Sequence, residues 1–397
     1  MRIGIDGSDA NLGGGLAYVM EVLRVAEPLH YGIRRVFFWG GANSLQRIPD
    51  RPWLEKIYEP QLDRSFLARR LWQSVTLGKR AQNEGCDLLL CPGASYGGAF
   101  RPFVAMSHSF ASFQWANIRR LGVTLGRLSP ILVRWYRQRT LQAASGMIYP
   151  SGYEARTVGL QIASNTPHAV IPYGVGGGFF AEPRPQRRIE NCSNAAPFRI
   201  LHVSTVTACE YQWSVVEAVA RLRREGLPVT LDIVGPAYRP ARKRLRRAMG
   251  KADPGGMFIR CLGEVRHSML SSVYRHAELF VCGSGCENMP HVLLEAMASG
   301  LPIVCSTRGA LAEMLGKAGL YFDPESCEQM IGAMRELIRS RARRKEYSAL
   351  AFRGAGAFRW ERCAHDLFSF LAECAAREAE NDARHDGICR GWAIPMT

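Results

Sequence analysis

From residue 198 onward the chain alternates short apolar runs with amphipathic stretches, and that alternation limits its fold more than any single motif does. The runs FRILHVS (198–204), PVTLDIVG (228–235), MFIRCLG (257–263), ELFVCG (278–283) and LPIVCST (301–307) have the length of strands and are apolar almost without interruption. Helical segments separate them at 212–226, 240–249, 266–277 and 290–299. Strands that are apolar on both faces and joined by helices form a parallel sheet covered on each side. The first half repeats the pattern less regularly, with strand candidates at 2–6, 34–40, 86–92, 102–108 and 145–151. Between the halves lies YGVGGGFFAEPRPQRRIENCSNAAP (173–197), rich in Gly, Pro and charge. The expectation is an α/β chain with two Rossmann-like, doubly wound parallel-sheet domains facing a central cleft. They span residues 1–175 and 198–375, with a linker at 176–197 and a loosely held polar tail at 376–397. Ligands of open parallel sheets bind beyond the C-terminal ends of the strands, so the cleft is the expected site.

Length and composition narrow the classes. At 397 residues the chain exceeds a single core, and 47% hydrophobic residues exclude wholesale disorder. Apolar runs fall short of the ~18 residues that span a bilayer, and the start, MRIGIDGSDANLGGG, reads as a buried strand and glycine loop rather than a leader peptide. A cytoplasmic location is expected. The twelve cysteines are scattered without a CxxC pair, and Cys282 with Cys286 is the nearest approach to a metal spacing. They read as small buried hydrophobes in a reducing compartment.

The formal net charge of +16 is unevenly placed. No acidic residue occurs from Leu88 to Tyr153, where Arg101, Arg119, Arg120, Arg127, Arg134, Arg137 and Arg139 fall. A second acid-free stretch, RSFLARRLWQSVTLGKR (64–80), interleaves arginine with Phe66, Leu67, Leu71, Trp72 and Val75. Both read as basic amphipathic helices suited to an anionic membrane surface or a phosphate-bearing substrate, with a solvated helix face as the alternative. Charge reversal at Arg69 and Arg70 is expected to abolish binding to anionic vesicles. No nucleic-acid recognition motif is present, and nucleic acid is not an expected partner.

One segment contains an oddity. In GCENMPHVLLEAMASGLPIV (285–304) nearly every residue from Pro290 to Ser299 is apolar or small, yet Glu295 stands among them. A buried carboxylate is strongly unfavourable unless it meets a partner from the protein, from water or from a ligand. Just before it, Asn288, Met289 and Pro290 open the helix. A helix start presents unpaired N–H groups and a positive dipole end to hydroxyls and anionic oxygens, although Pro290 has no N–H to give.

Glu287 and Glu295 have seven residues between them. Together with MASGLPIVCS (297–306), AGLYFDP (318–324) and FRWERCAHDLFSFL (358–371), they closely resemble the C-terminal domain of family-4 glycosyltransferases, the retaining enzymes of the GT-B fold. The resemblance is strong over roughly 198–371 and weaker in the first domain. It implies transfer of a hexose, such as mannose, from a UDP- or GDP-linked nucleotide sugar to a glycan or polyprenyl-phosphate-linked acceptor, in polysaccharide or lipopolysaccharide biosynthesis. Such enzymes work by front-side displacement, without a metal cofactor. By resemblance Glu287 would support the reacting centre, Glu295 would accept hydrogen bonds from the ribose hydroxyls, and His108 would face the donor sugar. Gly14 and Gly15, in NLGGGLAYVMEVLR (11–24), would let backbone N–H groups approach the diphosphate. Taken residue by residue, Glu295 paired with a nearby arginine, a structural His108 and an ordinary glycine turn are the alternatives.

Two positions depart from the family pattern. After the first strand of the second domain relatives carry an Arg and, five residues on, a Lys directed at the diphosphate; VSTVTACEYQW (203–213) has Thr205 and Glu210. At ~4 Å and an effective dielectric of ~20, each lost or reversed charge is worth about 4 kcal/mol. The linker start also differs, with Tyr173 and Gly176 where relatives have a His or Asn and an acidic residue. An arginine from elsewhere, a local misalignment and a catalytically impaired GT-B protein acting as a binding or scaffold component are the competing explanations. A nucleotide-sugar epimerase or a phosphorylase of the same fold matches the motifs less well.

Overall fold

The computed structural model describes residues 1–9, 14–107, 130–162, 166–207, 209–285 and 288–391. In the first domain the strands are β1 (Arg2–Asp6), β2 (Arg35–Gly40), β3 (Leu54–Tyr58), β4 (Leu88–Cys91), β5 (Phe103–Met106), β6 (Gly146–Tyr149) and β7 (His168–Val170). They pair in the order β3-β2-β1-β4-β5-β6-β7, all parallel. Helices α1 (Gly14–Val25), α2 (Ala42–Arg47), α3 (Phe66–Val75), α4 (Leu77–Asn83), α5 (Pro130–Gln142) and α6 (Gly152–Ile162) lie between them. The second domain has β8 (Phe198–Val203), β9 (Val229–Val234), β10 (Ile259–Gly263), β11 (Leu279–Cys282), β12 (Ile303–Ser306) and β13 (Gly319–Phe322) in the order β10-β9-β8-β11-β12-β13, again parallel. Its helices are α7 (Gln212–Arg224), α8 (Arg239–Ala252), α9 (His267–His276), α10 (His291–Ala298), α11 (Leu311–Leu315), α12 (Cys327–Arg339) and α13 (Arg341–Ala355), followed by α14 (Trp360–Gly391). Strand order reverses between β1 and β4 in one sheet and between β8 and β11 in the other, and such switch points open crevices at the C-terminal strand ends.

The apolar runs form strands because both faces are covered. Leu88, Leu89 and Leu90 are consecutive in β4, so they point to alternate faces, and are 0, 0 and 1% exposed. Four strands lack that signature: β10, an edge strand with exposed residues that the run MFIRCLG nonetheless marked, and three others. β3 and β7 are edge strands with exposed residues, and β13, the other sheet's edge, is half-buried at its centre. None of these three was expected as a strand from the sequence, because an edge strand needs no continuous apolar run.

The end of the chain departs from the expected boundaries. Trp360, Cys363, Ala364, Leu367, Phe368, Leu371, Cys374 and Ala375 are all buried and form one helical stripe on α14. That stripe packs back on the first domain: Trp360 meets Tyr18 with ring centroids 5.9 Å apart, and Phe368 meets Trp53 at 6.4 Å. The helix continues through the polar residues after 375 to Gly391, and Arg377 donates to the Ser145 carbonyl at 2.9 Å. Helix α14 therefore clasps the first domain rather than ending in the second. The ten described cysteines are free thiols.

Candidate active site

Glu295 lies in the second turn of α10, 6% exposed, and its partner is not an arginine. Tyr274 of α9 donates its hydroxyl to Glu295 Oε2 at 2.8 Å. His267 places Nε2 3.7 Å from Oε1, too far for a hydrogen bond but close enough for charge attraction. The adjoining carboxylate raises the His267 pKa against the opposing effect of partial burial. The Tyr274 ring is fully buried between Phe179 and Phe280, at 5.8 and 5.7 Å, which sets its hydroxyl in place. Among the described residues Oε1 accepts no hydrogen bond, so one carboxylate oxygen retains its acceptor capacity beside the imidazole.

The start of α10 is held from behind. Pro290 is the N-cap, and Met289, 4% exposed, accepts the Tyr173 N–H on its sulfur at 3.2 Å. His291 stacks on Tyr173 at 5.0 Å and on Trp360 at 6.1 Å. The side chains of Met289 and Pro290 are thus buried, and backbone groups with half-buried Asn288 are what this turn offers a ligand. Tyr173, a departure from the family pattern, is the residue that seats the turn.

After β8, Thr205 is exposed and Glu210 is half-buried. Ser284, just beyond β11, donates to Glu210 Oε1 at 3.1 Å, and the Gly285 N–H donates to the Cys209 carbonyl at 2.8 Å. The two loops, one after each central strand, are thereby tied at the C-terminal edge of the sheet. Tyr211, between Glu210 and α7, holds φ 50°, a left-handed conformation that costs a non-glycine residue about 1 kcal/mol or more.

A buried polar chain escaped the sequence reading and fixes the first of these loops. His202 Nδ1 lies 2.8 Å from the Val281 carbonyl, which only accepts, so Nδ1 carries the proton. Nε2 then accepts from the Ser204 hydroxyl at 3.0 Å, and Ser204 Oγ accepts from Gln212 Nε2 at 3.0 Å. Gln212 Nε2 also reaches the Thr205 carbonyl at 3.1 Å. Burial lowers the His202 pKa to about 4, so the chain runs through a neutral ring. Its one sequence signal is a histidine inside the apolar strand FRILHVS.

Across the cleft, α1 begins at Gly14, and a Cβ on Gly15 would meet only the Asp9 carbonyl at 3.8 Å, leaving open space. Asp6 and Asp9 stand at the end of β1. Asp9 pairs with Arg70 and accepts from the Ser95 hydroxyl at 2.7 Å; Asp6 accepts the Ser8 N–H at 2.8 Å and is bonded by Gln73. Burial, then the neighbouring Asp9, raises the Asp6 pKa. At the end of β5, Ser107 bonds Glu154 of α6, a fully buried carboxyl pushed up to about 8 by desolvation despite Ser107 and Arg137. The domains touch where Glu313 of α11 accepts the N–H groups of Gly152 and Tyr153, each at 2.7 Å, and Arg156 Nη2 at 3.2 Å. Glu313 thus caps the N-terminus of a helix in the other domain.

Asn288, Met289, Pro290, Glu295, Thr205 and Glu210 are therefore carried by the loops and helix beyond β8 and β11, at one edge of the second sheet. His108 and Glu287 lie outside the described residues, as do residues 10–13 of the glycine loop.

Two facing parallel α/β domains with these switch points define the GT-B fold, and the chain has it. Over 95% of its length it superposes on all of the sucrose-phosphate synthase of Thermosynechococcus elongatus, with a TM-score of 0.74 at 17% identity. Over 94% it superposes on all of Anabaena Alr3699/HepE in complex with UDP-glucose, with a TM-score of 0.69 at 16% identity. Residues 197–340 match the family Glycosyl transferases group 1, and over that segment the chain is a group 1 glycosyltransferase domain. The Escherichia coli O-antigen chain mannosyltransferase B is 34% identical over 106 residues, 27% of this chain and 28% of that protein. Matches to such curated relatives span 17 to 43% of their lengths.

Proposed function

We propose that the protein is a retaining glycosyltransferase that moves a hexose from a UDP- or GDP-linked nucleotide sugar to a glycan or polyprenyl-phosphate-linked acceptor at the cytoplasmic face of a membrane. The observation that carries this reading is Glu295: a nearly buried carboxyl in a group 1 glycosyltransferase domain, one oxygen oriented by Tyr274 and the other left to accept. Ribose hydroxyls are donors of the kind that oxygen lacks. Asn288 and the backbone from Met289 would line the donor sugar, Glu287 and His108 would face the reacting centre, and Gly14 and Gly15 would admit the diphosphate. Support for the donor class comes from the Anabaena neighbour solved with UDP-glucose, and for mannose from the E. coli relative's name.

The test is calorimetric titration of UDP- and GDP-sugars into the wild type and Glu295→Ala, followed by donor hydrolysis. One nucleotide sugar binding the wild type and losing about a hundredfold in the variant is expected. Absence of any nucleotide-sugar binding refutes the reading.

A second reading, a catalytically impaired GT-B protein that binds or scaffolds, is favoured by Glu210, whose carboxylate stands at the sheet edge bonded to Ser284. Binding that appears only in Glu210→Lys would establish it.

A further inference from the structure

Helix α3 is built inside out. Its inward face is polar and aromatic: Trp72 is 3% exposed and donates Nε1–H to Glu59 Oε2 at 3.1 Å, Gln73 is 1% exposed and bonded to Asp6, and Arg70 pairs with Asp9 and donates to the Ser95 carbonyl at 3.2 Å. These contacts fix the roll of the helix. The outward face consequently presents Leu67, Leu71 and Val75, at steps of four residues and 72, 67 and 56% exposed, beside Phe66 at 47%. Four of the thirteen exposed large hydrophobics among the described residues lie on these ten residues. An ordinary surface helix has the opposite polarity.

The rim of the stripe is cationic. No acidic residue occurs from Arg64 to Asn83, and among the described residues exposed Arg64 and Lys79 pair with no carboxylate. Gly97 separates α3 from α5: a Cβ there would lie 3.1 Å from Ser74 Oγ and clash with the Tyr136 hydroxyl. The adjoining α5 adds Trp135, 51% exposed, with Arg139 over its ring at 5.0 Å.

We propose that α3 docks the protein on an anionic lipid bilayer, with Leu67, Leu71 and Val75 entering the interfacial layer and the flanking cations meeting lipid phosphates. The inference deepens the membrane-side acceptor proposed above and rests on that reading for its setting. A lipid surface fits the stripe better than a protein does. Four side chains bury roughly 400–500 Å², well below the ~800 Å² per partner of a stable protein interface, whereas a short apolar stripe rimmed by cations suffices for reversible interfacial binding. No described helix is long and apolar enough to cross a membrane, so the contact is peripheral. Arg70, expected from the sequence to be a docking cation, faces inward to Asp9 instead, and its reversal would break the fold rather than report on lipid.

The test is cosedimentation of the full chain with vesicles of phosphatidylcholine, with or without about one third phosphatidylglycerol. The expected result is binding to the anionic vesicles, weakened as salt shortens the ~10 Å screening length, and lowered about a hundredfold in Leu67→Ser with Leu71→Ser. Leu160→Ser, at an 86% exposed leucine on α6, is expected to bind like the wild type. Nucleotide-sugar titration of the double variant reports whether the fold and donor site are intact. No binding of the wild type to anionic vesicles, or equal binding by the double variant, overturns the proposal. So does a wild-type dimer that the double variant dissociates, which would assign the stripe to a second copy. Vesicle binding without nucleotide-sugar binding leaves docking standing and removes the transferase reading; the reverse removes docking alone.

Discussion

Replacing Tyr274 by phenylalanine tests whether Glu295 is held for a ligand. The substitution keeps the ring contacts with Phe179 and Phe280 and deletes one hydroxyl, which donates to Glu295 Oε2 at 2.8 Å. Burial, followed by the carboxylate itself, raises the phenol pKa well above its ordinary value, so the hydroxyl is a protonated donor at any working pH. Deleting it leaves a carboxylate oxygen that is largely cut off from water. A hydrogen bond to a charged group is worth about 1.5–3 kcal/mol, and the lost contact to the Val292 carbonyl adds little, since that oxygen keeps other acceptor geometry. A loss of about 2 kcal/mol follows, or about 4–8 °C in Tm for a domain of this size. Urea unfolding of the wild type, Tyr274→Phe, Glu295→Gln and the double variant closes a cycle, with a coupling of about 1–2 kcal/mol expected between the two positions. Donor affinity should fall about tenfold in Tyr274→Phe, because the freed carboxyl must be re-ordered on binding. A stability change below about 0.5 kcal/mol with unaltered donor affinity would refute the reasoning.

Glu154→Gln addresses the buried carboxyl behind Ser107. Its folded pKa of about 8 lies above the ordinary 4.5, so the folded state retains a proton that the unfolded chain releases. That contribution is complete below the unfolded value and is lost as pH rises through about 8. His202 works oppositely, its stability present above 6.5 and lost toward about 4. His267, raised above 6.5 by Glu295, loses stabilisation in the same direction as Glu154, so the difference between wild type and variant from pH 6.5 to 8.5 isolates Glu154. The urea midpoint of the wild type should fall more steeply across that range than that of the glutamine variant; parallel curves would disprove the assignment. Glu313→Ala removes the carboxylate that caps α6 from the opposite domain, a loss of about 1 kcal/mol, or about fivefold toward a more open arrangement. Small-angle scattering should show a larger radius of gyration, and an unchanged profile would show that Glu313 does not hold the domains together.

Much of the architecture was legible because a parallel strand buried on both faces has to be apolar throughout, a constraint written in consecutive residues such as Leu88–Leu89–Leu90 and Ile303–Val304–Cys305. Edge strands β3, β7 and β13 escaped because no unbroken apolar run of strand length was read there, whereas β10, also an edge, was marked by the run MFIRCLG. The polar segment after 375 escaped because the stripe that anchors α14 lies upstream of it and the partner, α1, is more than three hundred residues away in the chain.

By itself the sequence determined the two doubly wound sheets, the family of the second domain and the anomaly of Glu295, since local periodicity and residue spacing carry all three. Tertiary structure alone decided the anomaly's resolution. Tyr274 and His267 are paired with Glu295 by helix packing, and no local pattern favours them over the arginine weighed as the alternative partner. It also decided which face of α3 looks outward. A helical period marks two faces, but only the buried carboxyls Asp6 and Glu59 and the half-buried Asp9 drew Gln73, Trp72 and Arg70 inward and left the leucines in water.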